Sequence, residues 1–179
     1  FFHWSLEFPR PFDVLLGKEH LRDVVIKTKI PSLSILPSGG LSSQEAARNI
    51  LLLTSPEPWR KIVDSLSDTR QLVLIDTPAG LYGITHGVLG ACTHVVTVLE
   101  SEPLALRVLP HLISSLGEAG APGGTGPALA GIILNCVQFR VGASLGVVQD
   151  AWARFPTGLI LETTVPRDAV FLDASEKGV

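Results

Sequence analysis

Past residue 30 the chain alternates short apolar runs with segments whose apolar residues recur at helical spacing. Leu33-Ser34-Ile35-Leu36 reads as a strand, stopped by Pro37-Ser38-Gly39-Gly40. Ser42, with Glu45 three residues on, forms a capping box and predicts a helix over about 43–53. Ser55 and Pro56 fit the cap and first position of another helix. Its face is Trp59, Ile62, Val63 and Leu66, the spacing of an amphipathic helix. Leu72 to Ile75 is a continuous apolar strand, residues 82–91 a weak, glycine-containing helix, and His94 to Leu99 another buried strand. Pro103 opens a helix with Leu109, Leu112, Ile113 and Leu116 on one face, expected to bend at Pro110. Ala130 to Leu134 is the next strand, and Val148, Ala151, Trp152 and Phe155 mark a helix. Leu159 to Val165 is a last strand, and Asp168 caps a final helix.

Apolar strands separated by helices predict an α/β fold: a doubly wound, mainly parallel sheet flanked by helices. The first 30 residues are less regular, with one helix expected near 11–16. No internal repeat or domain boundary stands out, so residues 1–179 are expected to form a single domain. The glycines between Gly117 and Gly126 follow a helix and precede no Lys, which fits a surface connection rather than a phosphate loop.

Composition narrows this picture only a little. The 179 residues are 46% hydrophobic and 17% charged, with a mean hydropathy of +0.37, too apolar for a disordered chain. A net charge of −3 gives no electrostatic case for direct nucleic-acid binding. No apolar run approaches the roughly 20 residues of a membrane span. Cys92 and Cys136 lie far apart in apolar company, as buried free thiols of a reducing compartment would. The chain contains no Met and opens on Phe1-Phe2, so a segment upstream of residue 1 is expected.

In a parallel α/β sheet, ligands gather beyond the carboxyl ends of the strands. The strand at Leu72 ends in Asp76-Thr77-Pro78-Ala79-Gly80. A carboxylate there can stand beside a nucleotide-bound Mg²⁺, usually through water, and the loop after it can offer N–H groups to a phosphate. It can equally end a strand and cap a turn. Asn135 closes Gly131-Ile132-Ile133-Leu134; its amide suits a purine edge, and Asn is also a common turn former. Pro166-Arg167-Asp168 follows the last strand, where helix capping is the default role of Asp168. Cys92-x-His94 lacks the partner pair that a zinc site needs, and His86 stands without a nucleophile.

Leu72-Val73-Leu74-Ile75-Asp76-Thr77-Pro78-Ala79-Gly80, the Asn135 strand end, and Val165-Pro166-Arg167-Asp168 leading to Ala174 and Gly178 resemble the MinD/ParA deviant-Walker ATPases, a P-loop NTPase group. The likeness runs over about residues 33–179. Within the group the chain is most similar to the branch of bacterial cellulose-synthesis operons, BcsQ. That likeness is carried by Leu36-Pro37-Ser38-Gly39-Gly40-Leu41-Ser42, the Trp59 helix, and Ile84-Thr85-His86 leading to Cys92 and His94. The resemblance implies ATP and Mg²⁺ as ligands and a homodimer with ATP at its interface. It implies a switch that regulates or localises cellulose synthesis, with components of the cellulose synthase complex as partners. A cytoplasmic place follows, at the cell pole or peripheral to the inner membrane, with membrane association itself left open. Asp76 would be the catalytic Walker B carboxylate, facing Mg²⁺ through water. Pro78 and Gly80 would lie by the phosphates, Asn135 against adenine, and Pro166, Arg167 and Asp168 along the base.

The family's Lys-Gly-Gly-x-Gly-Lys-Thr loop appears nowhere in these residues, nor does the Asp-containing switch segment that follows it. In relatives both precede the stretch matched here, so the domain is expected to be incomplete at its N-terminus and inactive alone. The phosphate-loop strand of the family lies beside the Asp76 strand, and without it this piece is expected to be marginally folded or aggregation-prone. Two other functions stay open: a ParA- or MinD-type positioning ATPase for DNA, flagella or the division machinery, and a non-catalytic scaffold that keeps the fold without nucleotide.

Overall fold

Ser42 and Glu45 close the predicted capping box: Glu45 N donates to Ser42 Oγ at 3.2 Å, and Ser42 N to Glu45 Oε2 at 2.9 Å. The helix they start, α3 (Ser43–Arg48), is shorter than expected. Asn49 turns its side-chain amide back onto the Glu45 carbonyl at 2.8 Å, and a separate helix, α4 (Ile50–Thr54), begins after it. A side chain that bonds the preceding turn competes with helix continuation, which is why 43–53 is two helices. The structure, a computed structural model, describes residues 11–37, 42–67, 72–118 and 126–177. The Ser38–Leu41 piece and most of the Gly117–Gly126 connection lie outside them.

The chain's contacts fall into two compact units, residues 2–91 and 92–179. In the first, α1 (Pro11–Leu15) and α2 (Leu21–Val24) precede a hairpin of β1 (Ile26–Lys27) and β2 (Ser34–Ile35). This corrects the reading of Leu33–Leu36 as a strand of the parallel sheet, because β2 pairs antiparallel with β1. Thr28 sets the turn: its Oγ1 accepts from Ile30 N at 3.0 Å and lies 3.0 Å from the Leu33 carbonyl it donates to. α5 (Pro56–Ser67) then buries Ile62 and sets Trp59 edge-on to Phe12 of α1, with 6.3 Å between ring centroids.

The weak helix expected over 82–91 is α6 (Ile84–Leu89), and its glycines have a packing purpose. A Cβ on Gly87 would lie 2.6 Å from the Leu53 carbonyl oxygen and 2.9 Å from Trp59 Nε1. Trp59 Nε1 itself donates to Leu53 O at 2.8 Å, and the Arg60 guanidinium donates twice to Gly90 O, at 3.0 and 2.7 Å. A cation on the last carbonyls of a helix satisfies acceptors that have no intrahelical donor. Thus α4, α5 and α6 are tied through backbone carbonyls as well as apolar contact. Residues 72–78 belong to no helix or strand among the described residues, which corrects the reading of Leu72–Ile75 as a strand, since no described segment pairs with it; Leu72 and Leu74 are exposed, and Val73 and Ile75 are half-buried.

The second unit is built on two parallel strands, β3 (His94–Glu100) and β4 (Ala128–Asn135). Their register puts Val98 opposite Ile133 and Glu100 opposite Asn135, after a bulge between Val95 and Val96. α7 (Pro103–Glu118) and α8 (Gly142–Arg154) supply the helices, and a core gathers Leu99, Leu106, Leu109, Ile132, Leu134, Val147, Ala151 and Ile160. α7 runs through Pro110 and buries Leu109 and Leu116 as its periodicity predicts. On α8 the buried stripe is Ser144, Val147 and Ala151, and Trp152, one of the apolar residues that mark the helix, is 43% exposed. The run Leu159–Val165 is a strand only in part: it meets β4 through the parallel bridge Ile132↔Ile160 and the bond from Val165 N to Leu134 O, and just past both segments Val137 pairs with Pro166. α9 (Val170–Lys177) closes the unit with no buried residue.

The carbonyl contact at Gly87 makes a sharp expectation for melting experiments. Gly87→Ala should destabilise by about 1–3 kcal/mol, because backbone rather than a flexible tip must move. Gly146→Ala, inside α8 with open space around its Cα, should gain about 0.5–1 kcal/mol from helix propensity. Equal effects of the two substitutions would sink this account of α6.

Candidate functional site

Each strand end in the sequence reading has a defined local structure. In the first unit, Asp76 follows the apolar run Leu72–Ile75 and is exposed, with Thr77 half-buried after it. Pro78, Ala79 and Gly80 are exposed, and the chain turns at two glycines with left-handed backbone, Gly80 (φ +95°) and Gly83 (φ +65°). Thr85, buried on α6, holds this loop: its Oγ1 donates to the Pro78 carbonyl at 3.1 Å. His86, next along, is exposed and faces the Thr54 carbonyl at 3.5 Å.

In the second unit, Asn135, Pro166, Arg167 and Asp168 come together at the carboxyl edge of the parallel strands. The Asn135 carbonyl accepts from Ser101 N at 2.9 Å. Cys136 then takes a left-handed φ of +54°, uncommon for a residue with a Cβ, and ends the ladder. Val137 resumes it against the last segment: its N–H donates to Val165 O and its carbonyl accepts from Arg167 N, both at 3.0 Å. Pro166, which has no N–H to offer, sits where the ladder asks for none. Asp168 Oδ1 accepts from Val170 N at 2.9 Å, so its carboxylate does act as a local cap at the start of α9.

Three residues at this edge were missed in the sequence reading. Glu100, opposite Asn135, accepts from Arg167 Nη2 at 3.0 Å, and both side chains are about half-exposed. Ser101 and Ser144 are buried: Ser101 Oγ donates to Ser144 O at 3.1 Å, and Ser144 Oγ accepts from Gln138 N at 3.0 Å. The Glu100-Ser101 pair ends β3 as Asn135 ends β4, the one signal that could have pointed to it. Ser144 has no such signal, since a serine inside a helix looks like surface. These bonds fix where Asn135 and Arg167 stand before any ligand arrives.

The other candidates stay structural. Burial pushes the Cys92 thiol up, away from the thiolate a metal needs, and a His94 ring nitrogen lies 3.0 Å from Thr93 Oγ1. Among the described residues no three His, Cys, Asp or Glu side chains gather to hold a metal, and no helix is long and apolar enough to cross a membrane.

Residues 15–112 match the family described as cellulose biosynthesis protein BcsQ, more than half of the chain. The chain belongs to the BcsQ family, among the MinD/ParA-type ATPases. It is 26% identical over 169 residues to the chromosome-partitioning ATPase Soj of Treponema pallidum, covering 94% of this chain and 66% of Soj. It is 27% identical over 173 residues to the chromosome partitioning protein ParA of Caulobacter vibrioides, covering 93% of this chain and 63% of ParA. The chain therefore spans about two thirds of these relatives' length, or less. The septum site-determining protein MinD of Pyrococcus horikoshii, solved with Mg-ADP, superposes with a TM-score of 0.70 at 22% identity, covering 96% of this chain and 64% of that one. That likeness shows the fold: α/β, with a parallel sheet flanked by helices, as the strand and helix pattern predicts.

The second unit's edge makes a stability prediction. Ser144→Ala should cost about 1–3 kcal/mol in a thermal or urea melt, since the part-buried Gln138 N–H loses its acceptor and Ser144 itself is buried. Glu100→Gln should cost under about 1 kcal/mol, because the ion pair it weakens is half-exposed and screened. A larger loss at Glu100 than at Ser144 would contradict this ranking.

Proposed function

We propose that this chain is part of a MinD-like ATPase, an ATP-dependent dimerisation switch that regulates or localises bacterial cellulose synthesis. The observation that carries the reading is the built edge of the second unit. Asn135, Glu100 and the Pro166–Asp168 segment are fixed there by backbone ladder, ion pair and buried serines. Membership of the BcsQ family gives the cellulose context, and relatives bound to Mg-ADP give the ligand class.

The residues suit ATP and Mg²⁺ by their chemistry. Asp76 offers an exposed carboxylate, a hard oxygen donor that holds a hydrated Mg²⁺ through its waters. When bound, the cation supplies charge neutralisation at the phosphates. The loop after Asp76 presents backbone N–H groups to an anion. Asn135 offers a donor and an acceptor to a base edge. The segment Pro166 to Asp168 lines the base with backbone, the Asp168 carboxylate being used in its cap. Asp76 is assigned the catalytic place because positioning and electrostatics are nearly all that phosphoryl transfer asks of a protein.

The reading requires a Gly-rich Lys-Thr loop in the longer protein, because these residues carry none. It also entails a homodimer with ATP at its interface, contact with cellulose synthase components, and a cytoplasmic place at the cell pole or peripheral to the inner membrane. Similarity to Soj and ParA over nearly the whole chain favours a second reading, a positioning ATPase for chromosomes or other cargo. Deleting the gene separates the two: lost cellulose output supports the first, and a segregation defect with normal cellulose supports the second.

Titration of the full-length protein with a fluorescent ATP analogue and Mg²⁺ tests the common core of both. Saturable binding is expected, and Asn135→Ala should weaken it by about five- to thirtyfold. Asp76→Asn should lower hydrolysis by roughly a hundredfold or more while nucleotide still binds. Absence of saturable binding to the full-length protein would leave the non-catalytic scaffold standing instead.

A further inference from the structure

The loop after Asp76 is exposed along most of its length, Tyr82 reaching 83%, yet it is tethered to a buried hydroxyl. Thr85 is 4% exposed and donates to the carbonyl of Pro78, the second residue beyond Asp76. The helix that carries Thr85 is itself held just after that residue, by the Gly87 backbone packed against Leu53 and by Arg60 on Gly90. Two left-handed glycines, Gly80 and Gly83, separate anchor from loop and let the chain reverse over it. Rigid support, one directed hydrogen bond and two hinges therefore act on the same few residues.

That bond has a geometric consequence. No cis peptide occurs among the described residues, so the Pro78–Ala79 unit is planar and trans, with its C=O and N–H pointing in opposite directions. Turning the Pro78 carbonyl toward Thr85 turns the Ala79 N–H away from α6 and toward solvent. Pro78 offers no N–H of its own, so the Ala79 donor is the first one after Thr77 that the loop can present. We propose that Thr85 is a positioning residue: by fixing the Pro78 carbonyl, it aims the Ala79 N–H at the terminal phosphate of a bound nucleotide. This rests on the nucleotide reading above and adds to it the residue that orients the phosphate-facing loop.

The test compares Thr85→Val, which keeps shape and loses the donor, with Thr85→Ser, which keeps the donor, in the full-length protein. Two readouts are taken. Thr85→Val should bind ATP within about twofold of wild type while kcat falls roughly ten- to a hundredfold. Thr85→Ser should restore most of kcat. Amide hydrogen exchange measured without nucleotide should quicken over residues 77–83 in Thr85→Val and leave the rest of α5 and α6 unchanged. Wild-type kcat and wild-type loop exchange in Thr85→Val would overturn the proposal. So would a Thr85→Ser variant as slow as Thr85→Val, or exchange that quickens throughout α6 with affinity and kcat falling together, which marks a merely structural residue. If wild type shows no saturable nucleotide binding, the nucleotide reading fails and the phosphate-facing role fails with it. The exchange comparison then reports separately whether Thr85 anchors the loop.

Discussion

The parallel pairing of His94–Glu100 with Ala128–Asn135 is the constraint on which the second unit depends. A parallel ladder satisfies backbone donors and acceptors only if its residues keep one register, and a slip of one residue would exchange the two faces. In the register adopted, Thr97, Leu99, Ile132 and Leu134 turn inward to the helices, and the strands run out together at Glu100 and Asn135. The polar edge is thus a consequence of the buried core. The same pairing that hides Leu134 delivers Asn135, and the ladder that continues through Val137 brings Pro166 and Arg167 alongside.

In the first unit the corresponding constraint is a set of backbone carbonyls claimed by side chains. Trp59 takes Leu53 O, Arg60 takes Gly90 O and Thr85 takes Pro78 O. Such bonds contribute little net stability one at a time, but leaving a buried member unpaired is costly. They therefore specify how α4, α5 and α6 meet more than they strengthen the meeting. Gly87 belongs to the same arrangement, since only a residue without Cβ lets Trp59 and Leu53 come so close. A glycine that weakens a helix in isolation is here what allows it to pack.

What could be read from the sequence follows the range of the interactions involved. The capping box at Ser42 and Glu45 spans three residues and appears as predicted, as do the amphipathic faces of α5 and α7. The strands of the second unit were legible because apolar β-branched runs bounded by polar residues have few other uses. The turn from Thr28 to Leu33, the break at Asn49 and the exposed Trp152 were not legible. Each depends on a side-chain bond or a packing choice that periodicity does not encode. Among the candidate site residues, Asn135, Pro166, Arg167 and Asp168 were found by their place at strand ends, and the structure brings them to one edge. Glu100 and Ser144 join them through contacts 67 and 6 residues away in sequence, to Arg167 and Gln138.

The local and ligand-directed roles of these residues are separable by asking what each polar group already does. Asp168 spends its carboxylate on Val170 N–H, which leaves its backbone as the part able to meet a base. Arg167 has its guanidinium on Glu100 and its N–H on Val137, so its position is set twice over from within the protein. Asp76 stands exposed after a segment whose exposed side chains, Leu72 and Leu74, are apolar. The carboxylate and its loop acquire a fixed direction only from what holds the segment, and the Thr85 hydroxyl is the side-chain contact in the described residues that gives the loop one.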